Sequence, residues 1–162
     1  MSFLITRALL EDLPAMIELE TSIFGQDAWS PELMVAEVSF PESYYLVAKL
    51  EGGNRLAGYA GLRAALQSAD QGDIQTIAVA EDFRRQGLAR KLLQELMEQA
   101  RVRGVGELFL EVRADNEAAR QLYVSEGFED IDRRSGYYQP DGVDAIVMKK
   151  RLEASAPGWA ER

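Results

Sequence analysis

The pattern of hydrophobic and polar residues divides the chain into stretches with two different periods. Apolar residues that alternate or run continuously predict strands, and apolar residues spaced three or four apart predict helices. The predicted strands are residues 3–8, 44–50, 56–66, 74–79, 108–112, 128–134 and 143–150. The predicted helices are residues 11–24, 31–38, 87–101 and 116–126. The resulting order of elements is β-α-α-β-β-β-α-β-α-β-β.

Turn residues and one apolar stripe indicate how these elements fold. The sequence Gly52-Gly53-Asn54 predicts a hairpin between the second and third strands, and loops are predicted at residues 67–72 and 136–142. The third helix carries a core-facing stripe at helical spacing, formed by Leu88, Leu92, Leu93, Leu96, Met97 and Ala100. This arrangement predicts an α/β (α+β) fold with a mixed sheet and helices on both of its faces.

Length and composition predict one globular domain at residues 1–152, followed by a flexible tail at 153–162. The chain has 162 residues, of which 47% are hydrophobic and 28% are charged. No apolar run approaches the roughly 20 residues that span a bilayer, so no membrane association is expected. The N-terminal residues lack the basic region and apolar length of a signal peptide, which predicts a cytoplasmic location.

The missing residue types restrict the chemistry. The sequence has no cysteine and no histidine, which removes disulfides, the usual zinc sites, cysteine nucleophiles and histidine bases, so no metal site is expected. Carboxylates, tyrosine, lysine, the backbone and water remain available for acid–base chemistry. The net charge of −9 argues against nucleic-acid binding and permits a basic peptide as partner, although acidity also simply favours solubility.

Four cations crowd the start of the third predicted helix. Arg84 and Arg85 precede Gly87, where the helix opens, and Arg90 and Lys91 follow it. A helix N-terminus is already positive, so acidic residues are normally favoured there. Free backbone N–H groups and added cations suit a bound phosphate or pyrophosphate. The alternative is a helix whose basic residues only face solvent.

Two segments near the C-terminal half contain candidate chemical groups. Glu111 interrupts the apolar strand 108–112, where the period of two places it on the face opposite Leu108, Leu110 and Val112. There it is either used chemically or reaches water, in the direction of Arg113. Asn116 and Tyr123 share one face of the following helix. Asn116 could instead cap that helix, and Tyr123 could be an aromatic residue of the core.

These segments resemble a known enzyme superfamily. The spacing Arg84-x-x-Gly87-x-Ala89 resembles the acyl-CoA signature of the GNAT N-acetyltransferases. The run from Glu111 through Asn116 and Tyr123 to Phe128 is similar to the ribosomal-protein-alanine N-acetyltransferases (RimI type) of that superfamily. The resemblance covers roughly residues 3–152 and implies a GNAT-like, mostly antiparallel central sheet.

The resemblance also implies a set of site residues. It assigns a general-base role to Glu111 and a general-acid role to Tyr123. It implies that acetyl-CoA contacts Ile77, Ala78, Val79, Arg84, Arg85, Gln86, Gly87, Leu88, Ala89, Arg90, Asn116 and Tyr123. It implies that the acceptor contacts Trp29, Glu111, Tyr137 and Tyr138. Residues 27–30 resemble the subfamily's Pro-Trp-Ser segment, with Ala28 replacing the proline.

The function implied by this resemblance is acetylation of an N-terminal amine. Acetyl-CoA would supply the acetyl group, and the acceptor would be the N-terminal alanine of a small-subunit ribosomal protein. The amine of that alanine would attack the thioester directly, in a ternary complex with a monomeric enzyme. The alternatives are acetylation of lysine or of a small amine, and a non-catalytic acetyl-CoA-binding regulatory module. A nucleotide-binding function is disfavoured because neither Gly-x-x-x-x-Gly-Lys-Ser/Thr nor Gly-x-Gly-x-x-Gly occurs.

Overall fold

A computed structural model describes residues 2–153 of the protein. Most of the segment predicted to be a tail, residues 154–162, lies outside the described residues. The strands are β1 (Phe3–Arg7), β2 (Ser43–Leu50), β3 (Leu56–Ala64), β4 (Gln71–Val79), β5 (Glu107–Arg113), β6 (Glu129–Tyr138) and β7 (Val143–Arg151). The α-helices are α1 (Leu13–Phe24), α2 (Pro31–Ser39), α3 (Leu88–Val102) and α4 (Glu117–Ser125).

The predicted α/β (α+β) fold class is confirmed. The strands are hydrogen-bonded in the order β1-β2-β3-β4-β5-β7-β6. Strands β4 and β5 are parallel, as the crossover through α3 requires, whereas the β1–β2, β2–β3, β5–β7 and β6–β7 pairs are antiparallel. The sheet is therefore mixed and mostly antiparallel. No helix among residues 2–153 is long and apolar enough to cross a membrane.

The contacts divide the chain into two compact units, Met1–Arg63 with Ile74–Leu96 and Ala64–Asp73 with Met97–Arg162. In the first unit, helices α1 and α2 pack on one face of β2 and β3. Their buried side chains Met16 and Met34 meet Tyr59 of β3. The adjacent Gly58 points to the opposite face, where an added Cβ would lie 3.5 Å from Leu92 of α3. Helices therefore cover both faces of this part of the sheet.

A buried carboxylate links α1 to its surroundings in this unit. Glu20 is 2% exposed and accepts a hydrogen bond from the Tyr59 hydroxyl. Its second carboxylate oxygen accepts from the backbone N–H of Trp29, at 2.9 Å. Burying a charge costs free energy unless the charge is hydrogen-bonded, so these two donors offset the cost of burying the Glu20 carboxylate.

The Tyr59 hydroxyl should contribute measurably to stability. We expect Tyr59→Phe to lower the free energy of unfolding by about 1.5–3 kcal/mol, because a buried carboxylate loses a donor. Tyr45→Phe is the matched control, since the buried Tyr45 hydroxyl has no hydrogen-bond partner in the described part of the chain. Its removal should leave stability unchanged or raise it. Urea unfolding of both variants provides the measurement, and equal losses would contradict the role given to Tyr59.

The second unit is built around β5, β7 and β6, which follow one another in the sheet. Leu108, Leu110 and Val112 of β5 are buried, at 0%, 4% and 6% exposure. Strand β7 lies beside β5, with Glu111 opposite Val147, and also pairs with β6. The alternation predicted for this strand is therefore confirmed, and it leaves Glu111 on the less buried face. The prediction that residues 1–152 form a single domain stays a prediction.

One predicted boundary is wrong in a way that affects the site. The sixth strand was expected to end at Arg134 and to be followed by a loop at 136–142, but β6 continues to Tyr138. Tyr138 pairs with Val143 across the turn, after an irregularity in register that follows Arg134. Gly136, with a φ of +62°, concealed this continuation because glycine normally weakens a strand. Tyr137 and Tyr138 therefore lie on a strand.

Candidate active site

In the first unit, β4 leads directly into the basic turn. Ala78 is 2% exposed and belongs to the core, while Ile77 and Val79 beside it are half-buried. The side chain of Arg84 folds back on this strand, and its Nε donates to the carbonyl of Val79 at 3.2 Å. The strand end and the turn that follows it are thus held together.

The turn from Arg84 to Gly87 is exposed and unusual in its backbone. Arg85 and Gly87 have φ values of +63° and +77°. The Lys91 N–H donates to the Gly87 carbonyl at 3.1 Å as the first turn of α3 forms. The preceding N–H groups lie at the helix end, where no intrahelical acceptor exists. Alternating backbone conformations of this kind gather N–H groups around an anion, and the binding of a pyrophosphate at this turn stays a prediction.

Gly87 can be tested for this role. An ideal Cβ at Gly87 meets no other atom within 4 Å, so a side chain there would occupy the open side of the turn. We expect Gly87→Val to weaken acetyl-CoA binding at least about tenfold, equivalent to about 1.4 kcal/mol. Gly52→Val is the matched control, because Gly52 has a φ of +84° and equally open surroundings. Calorimetric titration with acetyl-CoA measures both, and similar losses would reduce the effect to backbone strain.

In the second unit, Glu111 forms an ion pair that the sequence did not predict. Its side chain is 32% exposed, and its Oε1 lies 2.9 Å from Nη1 of Arg134 on β6. The alternative that the Glu111 side chain points towards Arg113 is not supported by the ion pairs. Arg113 instead binds Asp115 at 3.0 Å and Asp141 at 2.7 Å. Arg134 was missed because the pairing of β6 with β7 brings it near β5, which residue spacing alone does not reveal.

Helix α4 carries the other two candidate residues. Asn116 caps the helix, as its Oδ1 accepts from the Ala119 N–H at 3.2 Å. Tyr123 is 8% exposed, and its ring meets Phe128 edge-on with centroids 5.9 Å apart. Burial raises the pKa of the Tyr123 hydroxyl to about 12, with a smaller contribution from Tyr138. Both residues therefore have structural roles, and their predicted chemical roles stay predictions.

The two tyrosines at the end of β6 lie near these groups. Tyr137 and Tyr138 meet edge-on, with ring centroids 5.1 Å apart. The Arg134 guanidinium lies 5.7 Å from the Tyr137 ring centroid, and the Arg113 guanidinium lies 5.1 Å from that of Tyr138. The second unit thus contains the candidate base, the candidate acid, and Tyr137 and Tyr138, two of the three aromatic residues predicted to contact an acceptor.

Trp29 lies in the first unit, between α1 and α2. It is half-buried and packs against the core cluster, and its backbone N–H donates a hydrogen bond to the Glu20 carboxylate. Ala28 has a φ of −63°, which a proline would also adopt, so the departure from Pro-Trp-Ser leaves the backbone conformation suitable. Sequence reasoning missed Glu20. Its spacing from Leu13 and Met16 places it on the buried side of α1, which was a usable signal.

Comparison with known proteins places this arrangement in a family. The sequence model of the acetyltransferase (GNAT) family matches residues 13–128. The N-alpha-acetyltransferase RimI of Mycobacterium tuberculosis is 37% identical over 148 residues, covering 90% of this chain and 89% of that protein. The ribosomal protein bS18-alanine N-acetyltransferase of Salmonella typhimurium is 37% identical over 139 residues, covering 85% and 89%.

A solved structure supports the same assignment. The crystal structure of the ribosomal-protein-S18-alanine N-acetyltransferase from Escherichia coli superimposes with a TM-score of 0.84 at 32% identity, covering 97% of this chain and 98% of that one. The family model spans most of the chain, and the relatives match nearly its full length in sequence and in fold. This chain belongs to the acetyltransferase (GNAT) family.

Proposed function

We propose that this protein transfers acetyl from acetyl-CoA to the α-amine of an N-terminal alanine on a small-subunit ribosomal protein. Its membership of the GNAT family supports acetyl transfer to an amine. Relatives that are 37% identical over most of the chain have names that specify an alanine of ribosomal protein bS18. The observation that carries the proposal is the Glu111 carboxylate, which faces outward from an otherwise buried strand near Arg134.

The donor is proposed to bind through the backbone of 77–79 and the turn that follows it. The N–H groups and cations of residues 84–90, with Asn116 and Tyr123, would hold the coenzyme, whose thioester supplies an electrophilic acetyl carbon. The exposed, left-handed turn supports this assignment. A strand N–H near Ile77 to Val79 would stabilise the negative charge that develops on the carbonyl oxygen.

Glu111 is proposed to take a proton from the acceptor amine, directly or through a water. A peptide α-amine, with a pKa near about 8, loses its proton more readily than a lysine near about 10.4. The amine nitrogen then bonds to the acetyl carbon as the carbon–sulfur bond breaks, and Tyr123 donates a proton to the departing thiolate. Its pKa of about 12 keeps Tyr123 protonated at neutral pH, which a general acid requires.

Trp29, Tyr137 and Tyr138 are proposed to contact the acceptor peptide. Tyr137 is 48% exposed, and such an aromatic ring offers contact area to a peptide.

The groups proposed to act in the reaction are carboxyl, hydroxyl and backbone groups, and no cluster of metal-binding side chains occurs within residues 2–153. The enzyme is proposed to act as a cytoplasmic monomer that binds no nucleic acid, which suits its net charge of −9.

Two matched peptides test this function through the release of coenzyme A from acetyl-CoA. One peptide begins with a free alanine, and the other has that α-amine blocked and carries a free lysine. Turnover of the first peptide alone supports the proposal. Turnover of the blocked peptide would reassign the enzyme to side-chain acetylation. Binding of acetyl-CoA without turnover of either peptide would indicate a small-amine substrate or a non-catalytic module.

A further inference from the structure

We infer that Arg134 is a positioning residue that offsets the charge of Glu111, so that an acceptor α-amine bound there loses its proton readily. This inference rests on the proposed function and deepens it. Arg134 takes no part in the acetyl-transfer steps proposed above. The ion pair between β5 and β6 carries it.

The geometry places a fixed positive charge at the candidate base. Nη1 of Arg134 lies 2.9 Å from Oε1 of Glu111, and the two side chains are 50% and 32% exposed. The aromatic ring of Tyr137 lies beside the same guanidinium. Arg134 and Arg113 both align with Ala145 of β7, two residues along that strand from the position where Glu111 aligns with Val147, and therefore on the same face of the sheet. Arg134 therefore reaches Glu111 across β7 from a neighbouring row of the sheet.

The other charged groups of this region form ion pairs of their own. Arg113 binds Asp115 and Asp141, Arg133 binds Asp144, and Lys149 binds Glu107. On α4, Arg120 binds Asp130 of β6 at 3.3 Å. Asp132 of β6 aligns with Val147, and its Oδ1 accepts from the Arg133 N–H. Tyr123 stays neutral, since its pKa is raised to about 12. The ion pair at Glu111 is the one formed by Arg134.

A carboxylate acting as base for an amine has an inherent conflict. Its negative charge attracts the ammonium form of the acceptor and raises the pKa of the amine, so the proton that must leave is held more tightly. A cation beside the carboxylate cancels most of this field. Arg134 thus leaves Glu111 able to accept a hydrogen bond while lowering the tendency of the acceptor to remain an unreactive ammonium ion.

The pH profile of kcat separates this role from a merely structural one. For Arg134→Gln, the rising limb of kcat for the alanine peptide should move upward by about one pH unit. The kcat at neutral pH should then fall about tenfold, which follows from a one-unit shift. KM for the peptide should fall or stay constant below the limb, because the uncompensated Glu111 attracts the ammonium form more strongly. KM for acetyl-CoA should not change.

Two further variants control the experiment. Arg134→Lys should restore the wild-type limb, because the ion pair is a single nitrogen–oxygen contact that an ammonium group can also make. Arg133→Gln removes the same charge one residue away, where the side chain is 59% exposed and binds Asp144. The rising limb of the kcat pH profile for Arg133→Gln should coincide with that of the wild type.

The outcomes are distinguishable from failure of the proposed function. An Arg134→Gln enzyme that loses kcat equally at every pH would overturn the charge-offset role, as would an equal shift in Arg133→Gln. A wild-type enzyme that does not acetylate the free α-amine would overturn the proposed function itself, and this role with it. A shift in Arg134→Gln alone, reversed by lysine, supports both.

Discussion

Replacing Glu111 with glutamine should lower kcat for an alanine-terminated peptide by about 10²-fold or more, the usual contribution of a general base. Glutamine retains the size and polarity of the side chain but cannot accept the proton of the amine. Affinity for acetyl-CoA should change little, because the residues proposed to bind its pyrophosphate lie at 84–90. Steady-state kinetics at several pH values and calorimetric titration with acetyl-CoA provide the two measurements.

Glu107 offers a closely matched control for this variant. It lies on the same strand and face as Glu111, is 34% exposed, and forms its own ion pair with Lys149 at 2.9 Å. Glu107→Gln should leave kcat near the wild-type value. Both ion pairs are partly exposed, so each substitution should change the stability of the fold only slightly. A Glu111→Gln enzyme with wild-type kcat at every pH would remove the base assignment.

Tyr123→Phe should reduce kcat by about 10²-fold or more if the hydroxyl protonates the departing thiolate. The pKa of Tyr123 is raised to about 12, so below roughly pH 11 the hydroxyl remains protonated and can donate. The pKa is raised because burial disfavours the charged phenolate. Activity in the wild type should therefore show no loss due to Tyr123 ionisation up to that pH. Pre-steady-state and steady-state measurements of coenzyme A release test both expectations.

The alternative role of Tyr123 in the core makes a different prediction. Its ring meets Phe128, and phenylalanine would preserve this edge-on contact. A Tyr123→Phe variant with normal kcat and reduced stability would return Tyr123 to a purely structural role. Tyr45→Phe removes a hydroxyl from another buried tyrosine and serves as the control for that deletion. It should retain wild-type kcat.

Several features of the fold could be predicted because they depend on local period. The alternation in β5 correctly separated Glu111 from the buried Leu108, Leu110 and Val112. The helical spacing in α3 correctly identified its core-facing residues, which are all at most 4% exposed. Side-chain direction repeats every two residues in a strand and every 3.6 in a helix, so such patterns survive folding. The order of the predicted elements was confirmed for the same reason.

Other features depended on contacts between segments that are distant in sequence. Strand β6 extends to Tyr138 because Tyr138 pairs with Val143, although its local sequence suggested a loop. The spacing of Glu20 indicates the buried side of α1, but its partners, Tyr59 and Trp29, are set by the tertiary structure. Propensity is a weak guide wherever tertiary pairing supplies the hydrogen bonds.

The amino-acid sequence alone was enough to predict the element order, the buried faces, the family resemblance and the identity of Glu111 and Tyr123 as candidates. These properties depend on residue type and short-range spacing. The ionic partner of Glu111 was decided only by the tertiary structure, in which Glu111 pairs with Arg134 although Arg113 is much closer in sequence. The raised pKa of Tyr123 also required its burial to be known. Electrostatic interactions act over a few ångströms in space, and the packing of the sheet determines which residues lie within that distance.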